Sequence, residues 1–325
     1  MAHAQINFIS DALRRSIAIE AIFPTDHMCS PTKKIPHQGK MKTMYYLEGS
    51  TTNSHRVVTH TMLEAYAEDN NLCVIIVSGE DKWYGNSLIS GDLWGNMVTE
   101  DLVNFTRATF NLSDKREDTY IAGFSMGGFG AITCGLRHPE IFGKICLHAP
   151  ALVKALILNS YDEPGHDNWT KTNYETMFGL KDVSEFENSE FDYEKLVDDV
   201  SKMDVKPDFI LTVGNIDGLR PPLEELRDKL KEKGFNVEFY LVEGNHNWCH
   251  ALNQGLEKIC NALPTDDFGE NFRQTGAEAN YEWPDFFIWR AHYNTKNGVA
   301  HLPYKMKDVE MFSTYRVKDL GEIKD

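Results

Sequence analysis

The fold is decided by the stretch Asp118-Thr-Tyr-Ile-Ala-Gly-Phe-Ser-Met-Gly-Gly-Phe-Gly-Ala131, an apolar run that breaks and then resumes with helical spacing. Its centre is a G-x-S-x-G pattern formed by Gly123, Ser125 and Gly127. The pattern predicts a strand, a turn too tight for side chains at the two glycines, and a helix over residues 126–138. The serine is then exposed at the tip of a nucleophile elbow, beside the free N–H groups of the helix. The alternative is a glycine-rich turn without chemistry.

Apolar, β-branched runs alternate with segments of helical spacing along the chain, which predicts an α/β protein. The runs expected to form strands cover residues 6–10, 16–23, 43–47, 73–77, 119–122, 144–148, 209–213 and 237–242. The segments expected to form helices cover residues 54–68, 96–110, 126–138 and 221–234. The first two strands are expected to pair antiparallel. The later alternation predicts a mainly parallel central sheet with helices on both faces.

The organisation of the chain into domains follows from where this alternation stops. Residues 1–263 are expected to form one catalytic domain. Within it, residues 151–206 form an acidic, aromatic insertion, interpreted either as a cap or wall over the site or as surface elaboration. Residues 264–325 are a C-terminal extension that is too apolar for a plain disordered tail. We expect this extension to pack on its own domain or on a partner subunit of a homo-oligomer.

Composition excludes several classes of function for these 325 residues. The net charge of −16 repels the phosphates of nucleic acids and of anionic membrane surfaces. The sequence contains neither a signal-peptide pattern at its start nor an apolar run long enough to span a bilayer, which predicts a cytoplasmic protein. The six cysteines occur singly, which favours buried free thiols over disulfides or a metal site.

A serine nucleophile needs a base and an acid that orients the base, and both have candidates in the chain order Ser, Asp, His. Asp217 follows the predicted strand 209–213, and His246 follows the predicted strand 237–242. Asp217 could instead be a turn-forming aspartate before a glycine. His250, one helical turn after His246, is the rival base.

The remaining site candidates lie on loops after early strands. The backbone N–H groups of Ser50 and Met126 are the expected oxyanion donors, and a glycine before Ser50 fits a loop that approaches substrate closely. Aromatic side chains near the site are expected either to stack on a flat acyl group or to belong to the core. The substrate-binding candidates are therefore Gly49, Trp83, Tyr84 and Trp248, with Trp169 as a further aromatic residue.

With these motifs, residues 4–262 resemble the α/β-hydrolases of the esterase D superfamily, in particular the tributyrin esterase and feruloyl esterase group of carbohydrate esterase family 1. The resemblance is carried by the opening Ile6-Asn-Phe-Ile-Ser10, Tyr46-Leu-Glu-Gly-Ser50, Trp83-Tyr84, the elbow, Gly214-Asn-Ile-Asp217 and Gly244-Asn-His-Asn-Trp248. One departure is Glu48, where the family usually has histidine before the glycine. Because the oxyanion contact is made by the backbone, this departure bears on the shape and charge beside the acyl pocket.

The resemblance implies an α/β-hydrolase fold and a serine carboxylesterase that works through an acyl-enzyme without a metal or organic cofactor. The implied substrates are small-molecule esters with short-chain acyl or hydroxycinnamoyl groups of the feruloyl or chlorogenate type. One alternative is a thioesterase of the S-formylglutathione hydrolase type, which the same triad would serve. A second alternative is a non-catalytic binding protein on a hydrolase scaffold.

Overall fold

The bounds of seven strands lie within two residues of the predicted apolar runs. The first strand begins earlier than predicted, at Ala2, and two short strands, Asn86–Ser87 and Asp92–Leu93, were not predicted. The computed structural model describes residues 2–25, 39–162, 169–247, 250–264, 299–301 and 314–316. Its first strands are β1 Ala2–Ser10, β2 Arg15–Phe23, β3 Lys42–Leu47, β4 Leu72–Val77, β5 Asn86–Ser87 and β6 Asp92–Leu93. The later ones are β7 Thr119–Phe124, β8 Lys144–His148, β9 Asp208–Gly214 and β10 Val237–Val242.

Eight of the described strands form one sheet in the order β1-β2-β4-β3-β7-β8-β9-β10, and β5 pairs with β6 apart from it. The pairs β1/β2 and β2/β4 are antiparallel, whereas the other neighbours in the large sheet are parallel. This confirms the predicted mainly parallel sheet with an antiparallel first pair. Because parallel strands end at the same edge, the loops after β3, β7, β9 and β10 meet there.

Helices fill most of the connections between the strands. The early ones are α1 Ser54–His60, α2 Leu63–Asp69, α3 Trp94–Asn96, a π-helical segment Met97–Leu102, α4 Val103–Thr109 and a 3₁₀ turn Arg116–Asp118. The later ones are α5 Met126–Arg137, α6 Lys154–Leu158, α7 Lys171–Phe178, a 3₁₀ turn Val183–Phe186, α8 Tyr193–Val200, α9 Arg220–Glu232 and α10 Ala251–Ala262. The elbow helix α5 packs on β3, β7 and β8, and α10 packs on β8, β9 and β10.

Two predicted helices differ from the observed ones. The segment 54–68 is two helices, because the Thr61 hydroxyl donates to the Val57 carbonyl at 2.7 Å and ends α1 there. A threonine side chain that bonds the preceding turn competes with continuation of the helix. The segment 96–110 contains a π-helical turn over Met97–Leu102, a change of hydrogen-bond pattern that the spacing of apolar residues does not reveal.

The insertion 151–206 carries α6, α7 and α8 and is attached to the elbow helix through aromatic rings. Phe129 of α5 contacts Phe178, Phe186 and Tyr193 at centroid distances of 5.7, 6.4 and 6.3 Å. Such ring pairs add stabilisation beyond the area they bury. The described part of the insertion is therefore packed against the element that follows the serine.

The chain divides into two units, residues 1–26 with 36–264 and residues 27–35 with 265–325. In the second unit the described residues form one antiparallel pair, β11 Val299–His301 and β12 Thr314–Arg316. The aromatic residues predicted to drive packing of the extension, between 281 and 293, lie outside the described residues, as does most of the predicted polar loop 24–38.

Two other features of the sequence can be placed in the structure. Cys73, Cys134, Cys146 and Cys260 are buried with free thiols, as predicted, whereas Cys29 and Cys249 lie outside the described residues. No helix in the described part of the chain combines the length and the hydropathy needed to cross a bilayer.

The core contribution of α9 can be tested with one substitution. Leu230 is fully buried on this helix, so Leu230→Ala removes packed methyl groups and leaves a cavity. We expect the free energy of unfolding to fall by about 2–5 kcal/mol. The measurement is urea unfolding followed by circular dichroism. The exposed neighbour Lys231 supplies the control, since Lys231→Ala should change stability by less than about 0.5 kcal/mol. Equal effects of the two substitutions would contradict the observed packing.

Candidate active site

The elbow between β7 and α5 holds Ser125 in a strained backbone conformation, with φ of 53° and ψ of −116°. A Cβ at Gly123 would overlap the carbonyl of Gly127, and a Cβ at Gly127 would overlap the carbonyl oxygens of Leu47 and Glu48. Only glycine allows these backbones to approach so closely. The two glycines therefore set the serine at the tip of the turn and press the elbow against the loop that follows β3.

Three predicted residues meet at the carboxyl edge of the sheet. His246 Nε2 lies 3.0 Å from Ser125 Oγ, and His246 Nδ1 lies 2.9 Å from Asp217 Oδ2. The Asp217 side chain is 1% exposed and the His246 side chain 36% exposed. The acid is thus held inside the protein, whereas the imidazole reaches the surface where a substrate can approach.

The electrostatic state of Asp217 suits an orienting role. Burial alone would raise the pKa of this carboxyl, but hydrogen bonds from His246 and from the Leu219 N–H outweigh burial and hold the pKa below its ordinary value. An ionised Asp217 accepts the Nδ1–H of His246, which leaves Nε2 free to accept the proton of the serine hydroxyl. The arrangement can therefore activate Ser125 as a nucleophile.

Phe124 is a site residue that the sequence analysis did not single out, although it occupies the second position of the G-x-S-x-G pattern. Its ring stacks on the imidazole of His246 with centroids 4.7 Å apart and an interplanar angle of 25°. A Cβ at Gly49 would lie 2.9 Å from the same ring. One side chain thus contacts both the histidine and the loop after β3.

The other histidines near the site do not reach the serine. His148 is buried, its Nδ1 lies 2.7 Å from Thr212 Oγ1, and burial lowers its pKa to about 3. It is therefore neutral and packed behind Phe124, with ring centroids 5.5 Å apart. His250, the rival base, is exposed at the start of α10, and the hydrogen-bond partner of Ser125 Oγ is His246.

The predicted oxyanion donors flank the serine on two elements. Met126 is the first residue of α5, and Ser50 lies in the loop that Gly127 contacts. Among the described residues, neither backbone N–H donates to another part of the chain. The next residue along, Thr51, donates its N–H to Asp81 Oδ1 at 2.8 Å and fixes the outer end of the loop.

Two of the aromatic residues predicted to bind substrate, Trp83 and Tyr84, are buried and do not line an open pocket. Tyr84 is 1% exposed, and its hydroxyl donates to the carbonyls of Glu48 and Val77 at 3.3 and 3.4 Å. Trp83 is buried against Phe129 and Trp169 with centroids 5.3 Å away in each case. Tyr84 therefore supports the end of β3 at Glu48, whereas Trp83 packs between α5 and the insertion. Trp248 lies outside the described residues.

A cavity of about 350 Å³ opens beside the loop after β3, on the side of Thr51. Its lining combines carboxylates, amide and hydroxyl groups with the exposed indole of Trp169. The lining residues are Thr51, Glu80, Asp81, Lys82, Trp169, Asn173, Thr176 and Met177.

Within the described part of the chain, no group of three His, Cys, Asp or Glu residues is arranged to hold a metal ion.

The sequence is similar to that of known esterases and S-formylglutathione hydrolases. The sequence profile of the Esterase family matches residues 10–198. An acetyl esterase of Caldicellulosiruptor saccharolyticus is 29% identical over 249 residues, 76% of this chain and 93% of that protein. An S-formylglutathione hydrolase of Mus musculus is 26% identical over 134 residues, which cover 34% of this chain and 47% of that protein.

Solved structures share the fold. The fluorophosphonate-binding serine hydrolase F of Staphylococcus aureus superposes with a TM-score of 0.68 at 22% identity, covering 82% of this chain and 99% of that chain. A ferulic acid esterase of Anaeromyces mucronatus gives a TM-score of 0.54 at 16% identity over 81% and 90% of the two chains. Together with the family match, these findings show that the chain belongs to the Esterase family and is a carboxylic ester hydrolase with an esterase D-like α/β-hydrolase fold.

Proposed function

We propose that the chain is a serine carboxylesterase that hydrolyses small-molecule esters through an acyl-enzyme, with Ser125 as nucleophile, His246 as base and Asp217 as orienting acid. The single observation that carries the proposal is the continuous hydrogen-bonded chain from Ser125 Oγ through the His246 ring to Asp217. Such a chain is the arrangement by which a serine hydroxyl is made nucleophilic. All three residues fall within the proposed catalytic domain, residues 1–263.

In the first half of the cycle, Ser125 Oγ attacks the ester carbonyl while His246 Nε2 takes the hydroxyl proton. Asp217 stabilises the imidazolium that results, and the N–H groups of Ser50 and Met126 bind the oxyanion. His246 then protonates the departing alcohol as the carbon–oxygen bond breaks. In the second half, water attacks the acyl-enzyme, His246 takes its proton and returns it to Ser125, and the acid is released.

The proposed oxyanion donors are preorganised by the elbow. Met126 is the first residue of the elbow helix, and Ser50 lies in the loop against which the elbow packs. Each donor of this kind contributes about 2.7–4 kcal/mol of transition-state stabilisation in serine hydrolases. The positive end of the α5 dipole points at the same place, which adds to the stabilisation of negative charge. We infer that this pair polarises the ester carbonyl.

For the acyl group we propose a short chain, with hydroxycinnamoyl esters as the second class. Burial of Trp83 and Tyr84 removes two of the surfaces on which a phenolic ring would stack. The similarity to an acetyl esterase supports the short chain. The cavity beside Thr51, with its polar lining, suits the alcohol part of the ester.

A thioesterase of the S-formylglutathione type is the alternative activity, because relatives of that name are similar over about half of their length. The same triad would attack a thioester. The third possibility, a non-catalytic binding protein, is disfavoured by the hydrogen bond between Ser125 and His246.

We propose that residues 264–325 form an extension that packs on the domain or on a partner subunit of a homo-oligomer.

The nucleophile can be tested by labelling with a fluorophosphonate, read by intact mass, together with p-nitrophenyl acetate turnover. Wild type should take up one adduct, and Ser125→Ala should take up none and lose turnover by at least about 10⁴-fold. Ser90 is exposed, so Ser90→Ala serves as the matched control and should label like wild type. An adduct that persists in Ser125→Ala would remove this serine from the mechanism.

The role of the acid can be tested with Asp217→Asn. An amide in place of the carboxylate disfavours the tautomer that leaves Nε2 free, so we expect kcat to fall by about 10⁴-fold while thermal stability stays close to wild type. The measurement is steady-state kinetics alongside a thermal melt. Asp228 is exposed on α9, and Asp228→Asn should retain activity. Near-wild-type kcat in Asp217→Asn would mean that another acid orients His246.

Acyl preference can be measured on esters that share one leaving group. We expect kcat/KM for ethyl butyrate to exceed that for ethyl ferulate by at least about tenfold, because the buried aromatic residues offer little stacking surface. A preference for ethyl ferulate would reverse the ranking of the two classes. S-formylglutathione is assayed in parallel, and a kcat/KM well above both esters would move the thioesterase to first place.

A further inference from the structure

Glu48 occupies the junction between β3 and the proposed oxyanion loop. It directly follows the last residue of β3 and directly precedes Gly49 and Ser50. Its carbonyl oxygen is one of the atoms that a Cβ at Gly127 would overlap, and it accepts the hydroxyl of Tyr84. Any movement of Glu48 is therefore passed both to the elbow and to the Ser50 N–H.

The side chain of Glu48 is enclosed, and no cation of the described residues pairs with it. The residue is 0% exposed, and Oε1 accepts the N–H of Gly79 at 3.0 Å. Oε2 is buried and has no hydrogen-bond partner among the described residues, and no cation is among the groups that perturb it. A buried carboxylate with one satisfied oxygen and no cation is strongly disfavoured relative to its protonated form.

The groups that face Glu48 act in both directions on its proton. Asp81 and Glu80, on the loop after β4, add negative charge, whereas the Gly79 N–H and the Ser78 hydroxyl stabilise the ionised form. Burial is the largest effect and raises the pKa of Glu48 to about 8. The neighbouring hydroxyls of Tyr46 and Tyr84 have pKa values raised by burial well beyond the ordinary value. Glu48 thus titrates in mildly alkaline solution, below the range of the two tyrosines.

We propose that Glu48 is a positioning residue that supports the oxyanion loop as an uncharged carboxylic acid, and that loss of its proton turns the esterase off at alkaline pH. The inference rests on the proposed function, because it assumes that Ser50 and Met126 bind an oxyanion. A negative charge on the residue next to this loop opposes the charge that develops on the substrate oxygen. Activity is present while Glu48 keeps its proton and is lost as the pH rises through the pKa of this carboxyl.

The same proton affects stability with a defined sign. The ordinary pKa of 4.5 applies to the unfolded chain and the value of about 8 to the folded one, so the folded chain binds more protons between these limits. Stability contributed by Glu48 is therefore full below pH 4.5, falls as the pH rises towards 8, and changes no further above it. A neutral isostere would not show this fall.

The test compares wild type with Glu48→Gln, which keeps an oxygen for the Gly79 N–H and cannot ionise. The measured quantity is kcat/KM for ethyl butyrate between pH 6 and 9.5, each variant scaled to its own value at pH 7. Wild type should fall about tenfold per pH unit above pH 8, whereas Glu48→Gln should stay within about twofold up to pH 9.5. Asp228 is an exposed carboxylate on α9, and Asp228→Asn should keep the wild-type fall. An alkaline fall that persists in Glu48→Gln would overturn the proposal.

Two further measurements keep the test decisive if Glu48→Gln folds poorly. The rate of fluorophosphonate labelling of wild type should fall above pH 8, and a rate that stays flat to pH 9.5 would overturn the proposal. The melting temperature of Glu48→Gln, where measurable, should rise relative to wild type between pH 5 and 8.5, and a constant difference would count against it. Persistent labelling of Ser125→Ala would instead reject the proposed function itself, so the two failures are distinguishable.

Discussion

The left-handed backbone of Ser125 is the constraint on which the rest of the site depends. A non-glycine residue at φ of 53° is unfavourable, and surrounding backbone holds it there: its N–H donates to the His148 carbonyl at 3.1 Å and its carbonyl accepts the Ala151 N–H at 2.8 Å. Those two partners stand at the end of β8 and in the loop that follows it. Hydrogen bonds to the centre of the parallel sheet therefore hold the serine in its strained conformation. This conformation fixes where α5 begins, and with it the position of the Met126 N–H and the contact with the loop after β3.

Much of the fold could be predicted because buried strands and the loops after them differ clearly in the polarity of their residues. Buried parallel strands need apolar residues on both faces, so a strand such as β4 stands out as a continuous apolar run. The chemistry-bearing residues come directly after such runs, which places Ser125, Asp217 and His246 at one edge of the sheet. Their meeting was therefore expected from topology alone, although the roles given to them remain a proposal.

The features that could not be predicted depend on tertiary contacts. Nothing in the local pattern says that the Thr61 hydroxyl bonds the preceding turn and ends α1. The burial of Tyr84 follows from space left by Gly79 and Gly130, where an added Cβ would clash with its ring, and neither glycine is close to Tyr84 in a helical or strand period. The environment of Glu48 has the same origin. Its position is visible in the sequence, but its enclosure requires β3, the loop after β4 and the elbow to be assembled first.

The position of β10 at the edge of the sheet has a consequence for thermal inactivation. Among the described strands, β10 pairs with β9 alone, and His246 follows it, whereas Ser125 follows β7 with a neighbour on each side. Margins of a sheet open locally at lower free energy than its centre. The two residues proposed to exchange a proton therefore follow strands that differ in how easily they open. We therefore expect local opening of β10 on heating to separate the two side chains while the other strands stay paired, so that activity is lost before the sheet unfolds.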